Sequence, residues 1–468
     1  MMPYKNIEQI EKVDSPVSSE MQSAMDLWYQ MYIDNPPWLE PNKVYSLNIP
    51  AFICSEIARQ VLLELKWDIT GTKLDEEDNP VMNPRAQYLK DEFEKLITMI
   101  RPKLEQAMAA GGMVIRPYPT NDHIGFDFTM DWSFMPVAFD DSGNLTDVIF
   151  QDIHDEGKIR YTRLERHMLQ DDGSVIITQR AFKSTDKNAI GKEISLEEVD
   201  EWKTLTPEVT IGAVNGNIYG WYKTASANNT DVNSPLGVSV YARAARTIKQ
   251  ADLQYSRFLW EYEATEVAID VDPTALRPRK TGSGYEMPNL NERLFRGVDL
   301  GEDGNYNIFA PDIREVSQIA GMNQLFLRIE DQVGLSRGTL SDVNLEAKTA
   351  TELKLSKQRS YATIADNQAA LEHCLRDVIH AMDVYATLYH LAPPGEYNVS
   401  FEWDDSIVTD MTAQVQERLM LVNARIMSKA EFRQWYFGET KVQSEAAVSE
   451  VNAEGSVDVS DMMPEIPE

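Results

Sequence analysis

Residues 334–348 read GLSRGTLSDVNLEAK, and TATELKLSKQRSYATIADNQAALEHCLRDVIHAMDVYATLYHL follows at 349–391. The first segment is polar and carries Gly338, so it reads as a loop. The second predicts one very long helix that stops before Pro393-Pro394-Gly395. Tyr361, Ile364, Gln368, Leu371, Leu375, Val378, Met382, Tyr385 and Tyr389 recur in alternating steps of three and four. All but Gln368 are apolar, which is a packing seam of coiled-coil type. Spacing alone leaves open whether the seam faces its own subunit or a neighbour.

Upstream, Tyr241, Ala244, Ile248, Ala251, Tyr255, Phe258 and Tyr262 share one face of a helix beginning near Gly237. Val316, Ile319, Phe326, Ile329 and Val333 share a face of a second helix. Between them, 266–314 holds VAIDVDP, the turn-rich PRKTGSG and NYNIFAPDIR, a small β-containing insertion. The order is helix, insertion, returning helix, loop, long helix. Further upstream, 16–33, 49–68 and 83–109 carry helical spacing, the last behind an Asn-Pro pair. MVIRPYPT (113–120) reads as a strand. The segments 145–153, 158–168 and 174–182, separated by Asp-Gly and Gly-Asn turns, read as an antiparallel meander. Residues 184–235 look irregular. YNVSFEWDD (397–405) reads as a strand, and 410–426 and 428–437 as short helices. The tail 441–468, acidic and aperiodic, is expected to be disordered.

The chain has 468 residues, 43% hydrophobic and 25% charged, an ordinary soluble composition with room for several packed units. No apolar run has membrane-spanning length, and the N-terminus shows no secretory signal. Cys54 and Cys374 sit in apolar helical patterns and read as buried free thiols. With 75 acidic against 44 basic residues the net charge is −31, which excludes phosphate-gripping over a broad surface. The ordinary reading of such a charge is solubility. No P-loop occurs, since Gly191-Lys192 lacks the earlier glycine. The six histidines form no HExxH, there is no G-x-S-x-G, and Asp75–Asp78 and Asp404-Asp405 fall in turns. An enzymatic role and a need for a cofactor or metal are therefore not expected.

The stretch 334–364 resembles the central signature of portal proteins from siphophages of Gram-positive hosts. Its Gly334-Leu335-Ser336 turn leads through a serine-containing loop to Lys348-Thr349-Ala350-Thr351-Glu352, with Ser360 and Tyr361 beyond. Residues 235–263, with Asp252 and Tyr255 as an Asp-x-x-Tyr pair, resemble that family's first stem helix. YNIFAPDIR (306–314) resembles the strand and Pro-x-Ile-Arg leading into the second, and the segment around Trp28 and Trp38 also fits.

The resemblance implies an α+β phage portal fold. Its parts would be a wing of N-terminal helices and β meander (1–236), stem helices at 237–265 and 315–336, and a small α/β clip (266–314). A tunnel loop (337–348), a long wing helix with its strand (349–408), a helical crown (409–440) and the acidic tail (441–468) would follow. Arg337, Ser341, Asp342, Asn344, Glu346 and Lys348 would line the DNA channel. Arg277, Arg279, Lys280, Glu292 and Arg293 of the clip would meet the terminase or a connector. The implied assembly is a dodecameric ring at the capsid vertex, passing double-stranded DNA. Its partners would be the terminase large subunit, a head–tail connector, and the major capsid and scaffolding proteins. It would assemble in the host cytoplasm and reside in the virion, with no membrane. The competing expectations are another head–tail connector or structural virion protein, or an enzyme with a site in the 113–182 β region.

Overall fold

A computed structural model describes residues 3–63, 65–74, 80–120, 122–187, 189–212, 214–266, 268–271, 277–278, 285–286, 295–297, 306–310, 312–342, 350–403 and 411–454. The chain divides into two compact units, Met1–Trp403 and Asp404–Glu468.

The first unit opens with α1 (Tyr4–Glu11), α2 (Ser19–Tyr32) and α3 (Ile49–Leu62). The helical spacing expected through residue 68 ends at 62. Leu65–Gly71 is instead strand β1, which pairs antiparallel with β16 (Tyr397–Trp403). Leu65, Trp67 and Ile69 alternate with polar residues, the period of a strand. Helix α4 (Pro84–Ala110) starts where Asn83 accepts the Ala86 amide hydrogen at 2.9 Å, with Pro84 in the first turn. It stops at Gly111, whose φ of 100° permits the reversal into β2 (Gly112–Pro119).

β2 pairs with β3 (Ile124–Met130) on one edge. The expected meander follows as β5 (Leu145–Glu156), β6 (Ile159–Leu169) and β7 (Val175–Ser184), with an additional strand β4 (Phe134–Phe139) before it, all antiparallel. The stretch 184–235 is more ordered than its composition suggested. β8 (Lys192–Ile194) and β9 (Glu208–Ile211) both extend β7, and β10 (Gly220–Lys223) takes the free edge of β2.

Next comes α5 (Ala245–Ala264), a shorter helix than expected because 237–244 runs as irregular chain and one 3-10 turn. The short strands β11 (Ala268–Val271), β12 (Arg277–Pro278), β13 (Tyr285–Glu286), β14 (Phe295–Gly297) and β15 (Tyr306–Phe309) belong to the insertion. There β11 lies between a parallel β14 and an antiparallel β15, while β12 pairs with β13. Helix α6 (Glu315–Val333) returns to pack on α5, and α7 (Ala350–Leu388) crosses the unit.

The seam of α7 settles the question that spacing left open. Leu371, Leu375, Val378 and Met382 are fully buried within this chain, where α7 packs on β10, β2 and α3. Only its last member, Tyr389, stands exposed. The seam therefore supplies a subunit core, not a surface for a neighbour. Cys54 and Cys374 are free and buried in the same core. The end of α7 is closed by Arg85, whose guanidinium donates to the carbonyls of Pro393 (3.1 Å) and Asp383 (3.3 Å) and to Thr387 Oγ1 (3.1 Å).

The second unit holds α8 (Met411–Asn423), α9 (Lys429–Phe437) and α10 (Lys441–Glu454). The tail expected to be disordered from 441 is thus helical to 454. Thr440 and Gln443 explain it: the Thr440 amide donates to Gln443 Oε1 and the Gln443 amide to Thr440 Oγ1. This is the reciprocal arrangement of a capping box.

Candidate functional site

The α5–α6 hairpin carries the loop that the sequence singled out. Helix α6 ends because Gly334, at φ 78°, sends its amide back to the Glu330 carbonyl, joined by the Leu335 amide at 3.0 Å. Thr363 of α7 lies where a Cβ on residue 334 would stand, so glycine is required twice over. The chain then turns through Ser336–Thr339, and Thr339 Oγ1 donates to the Ser336 carbonyl at 2.7 Å.

The next residues fold around a buried carboxylate. Glu330 Oε1 accepts the amides of Gly338 (3.2 Å), Leu340 (2.6 Å) and Ser341 (2.9 Å), and Oε2 accepts the Ser341 hydroxyl at 2.7 Å. Glu330 has no exposed surface. Burying an unpaired carboxylate costs several kcal/mol, and converging amides are what make it tolerable. Beyond Ser341, Asn323 brackets Asp342: its Nδ2 donates to the Asp342 carbonyl and its Oδ1 accepts the Asp342 amide, both at 2.8 Å.

Of the six candidate channel residues, the structure gathers Arg337, Ser341 and Asp342 at this loop root. Ser341 does not offer a free hydroxyl to solvent, since it is buried and donates to Glu330. Arg337 is paired with Asp331 at 2.8 Å, which ties it to α6. Asp342 is exposed. Asn344, Glu346 and Lys348 lie outside the described residues. Among the insertion candidates, Arg277 is on β12 opposite Glu286, while Arg279, Lys280, Glu292 and Arg293 lie outside the described residues.

Glu330 and Asn323 escaped the sequence reading. The signal was present: Asn323, Phe326, Glu330 and Val333 step by three, four and three, which places two polar groups on the apolar stripe of α6.

Two more carboxylates serve the hairpin. Asp252, buried on α5, accepts the Trp38 indole N–H and the Leu47 amide, each at 2.9 Å, and Ser256 Oγ accepts the Tyr45 amide at 2.9 Å. Burial raises the Asp252 carboxyl above its usual range, opposed by the Leu47 and Trp38 bonds. This gives Asp252 of the Asp-x-x-Tyr pair a physical task, strapping 38–47 to the hairpin. Glu261, near the far end of α5, accepts from Arg314 Nε at 3.0 Å and Nη2 at 3.1 Å. Arg314, the last residue of Pro-x-Ile-Arg, thereby closes the insertion where α6 begins.

The far end of the hairpin is apolar and bare in the single chain. Trp260 is 66% exposed, Val316 84% and Ile319 51%. Among the described residues no cluster of three or more His, Cys, Asp or Glu could hold a metal ion, and no helix is long and apolar enough to cross a membrane.

A comparison with curated proteins finds no match. A family model described as phage portal protein, SPP1 Gp6-like, matches residues 41–456. That span takes in most of the strapped loop, the hairpin, its insertion and the long helix, and the chain belongs to this phage portal protein family.

Proposed function

We propose that this chain is the repeating subunit of a ring at the unique capsid vertex, through which double-stranded DNA is packaged and later ejected. Membership of the portal family makes its role that of a structural phage portal or connector component. The finer reading rests on the hairpin. Trp260, Val316 and Ile319 leave an apolar surface that a lone subunit in water has no means to cover, and copies arranged around a closed rotation would cover it.

In this reading the hairpin helices are the stem, the loop 337–348 faces the channel, and the insertion 266–314 docks the terminase that supplies force. The net charge of −31 per subunit keeps DNA centred, since duplex DNA carries one negative charge per roughly 1.7 Å of axis. A repelling wall offers no deep binding well, so the duplex slides. Head–tail connector, major capsid and scaffolding proteins are the remaining partners.

Light scattering of the purified chain, at micromolar concentration in low and high salt, tests this directly. A large particle that images as a flanged ring is expected. A monodisperse monomer in every condition would overturn the proposal.

A further inference from the structure

On α6, Asn323 and Glu330 are separated by two helical turns, about 10 Å along the axis, and so project from one side. Both reach the same stretch of chain. Glu330 holds the amides of Gly338, Leu340 and Ser341, and Asn323 holds both backbone groups of Asp342. Gly338, at φ 101°, turns the backbone so that these amides converge on one carboxylate. Nearly every bond goes to main chain; the Ser341 hydroxyl is the one side-chain partner among them.

We propose that Asn323 and Glu330 are positioning residues for the channel loop. They form a two-point track on α6 that fixes the backbone of 338–342, and so sets where the loop departs from the hairpin. The proposal rests on the channel reading above, and it adds residues that never need to touch DNA.

The two points differ in kind. Glu330 is buried, so removing it strands the Leu340 and Ser341 amides and the Ser341 hydroxyl in a dry site and leaves the Gly338 amide only Ser341 Oγ. Asn323 is half-buried and neutral, and its loss exposes two backbone groups to water that can satisfy them. Asn323→Ala therefore loosens only the outer point and leaves the subunit fold and ring intact. In Glu330→Gln the amide oxygen still accepts the three N–H groups and the amide nitrogen donates to Ser341 Oγ, so the geometry survives without the charge.

The test uses assembled rings and, in infected cells, the ratio of DNA-filled to empty heads. In Asn323→Ala rings, hydrogen exchange should accelerate at Asp342 alone. In Glu330→Ala it should accelerate at Leu340 and Ser341, by at least about tenfold, and less at Gly338, whose amide also donates to Ser341 Oγ. Head filling should fall in both at normal ring yield and return toward the parent level in Glu330→Gln. Should Glu330→Ala fail to fold, Asn323→Ala with Glu330→Gln carries the test. Unchanged exchange at 338–342 in Asn323→Ala would overturn the track.

A variant with Ser341–Ala347 replaced by a Gly-Ser linker separates the two claims. Normal filling with that linker would remove the channel reading itself. Failed filling with the linker, beside normal filling in Asn323→Ala and Glu330→Ala, would remove the positioning role alone.

Discussion

The core around α4 and α7 and the α5–α6 hairpin belong to one compact unit, yet Asp131 of the core and the acids of the hairpin are held in opposite ways. In the core, Asp131 is buried and neither carboxylate oxygen makes a hydrogen bond of ordinary geometry; nor does the Trp221 indole N–H beside it. Burial pushes its carboxyl up to about 8, against smaller opposing pulls from Trp221 and Lys223. In the hairpin, Asp252, Glu261 and Glu330 are hubs, each holding a neighbouring segment in place. The difference is one of purpose. The core is held by apolar packing dense enough to tolerate a neutralised acid. The hairpin has apolar packing at its root, where Ile248, Ala251, Ile329 and Val333 are buried, and relies on hydrogen-bonded acids to attach what it carries.

The largest expected effect lies in the core. Phe93 is fully buried and meets Trp67 edge-on, at a centroid distance of 4.9 Å, and Phe401 at 6.1 Å. Phe93→Ala should cost about 3–5 kcal/mol of subunit stability, read as a large fall in melting temperature. A small change would mean that β1, β16 and α4 are less tightly joined than the hairpin is.

Asp131 gives the intermediate effect and a sign. A carboxyl whose folded pKa lies above its unfolded one is protonated in both states at low pH. The unfolded chain ionises first as pH rises, so stability falls between pH near 4 and about 8. The slope is on the order of 1 kcal/mol per pH unit. Asp131→Asn should flatten the drop in melting temperature between pH 5 and pH 8; an identical drop in both proteins would place ionised Asp131 in contact with a partner.

The smallest effect on the subunit is expected at the hairpin tip. Trp260→Ser or Val316→Ser should change subunit stability by no more than about 0.5 kcal/mol, as at other exposed sites. Ring yield by light scattering should nevertheless fall sharply. Rings forming at the parent yield from the double variant would show that copies meet elsewhere.

What could be read from the residues followed from local signals. The order of helix, insertion, returning helix and long helix came from apolar spacing and from Pro and Gly stops, and the meander from alternation and Asp-Gly turns. What escaped depended on distant partners. Leu65, Trp67 and Ile69 alternate, but that signal sits directly behind a helix and its partner strand lies near residue 400. Gly220–Lys223 is too short to announce itself without β2. The bare tip could be foreseen from apolar residues on two helices, whereas the seam of α7, with similar spacing, proved to be core. Spacing identifies a face and not what covers it. The polar, glycine-containing composition of the loop was legible, but the organiser of residues 338–342 was hidden because one glutamate on an apolar stripe is ordinarily read as a blemish.

The pairing of β1 with β16 places residue 65 opposite residue 403, and this bears on the order in which the chain is made. A ribosome finishes the meander, both hairpin helices and the insertion before it emits the strand that completes this two-stranded ribbon. The hairpin joins segments close in the chain and can form early, whereas closing so long a loop is slow. The nascent chain therefore carries its bare apolar tip before its own body is shut. That tip stands in water at a stage when aggregation competes with folding.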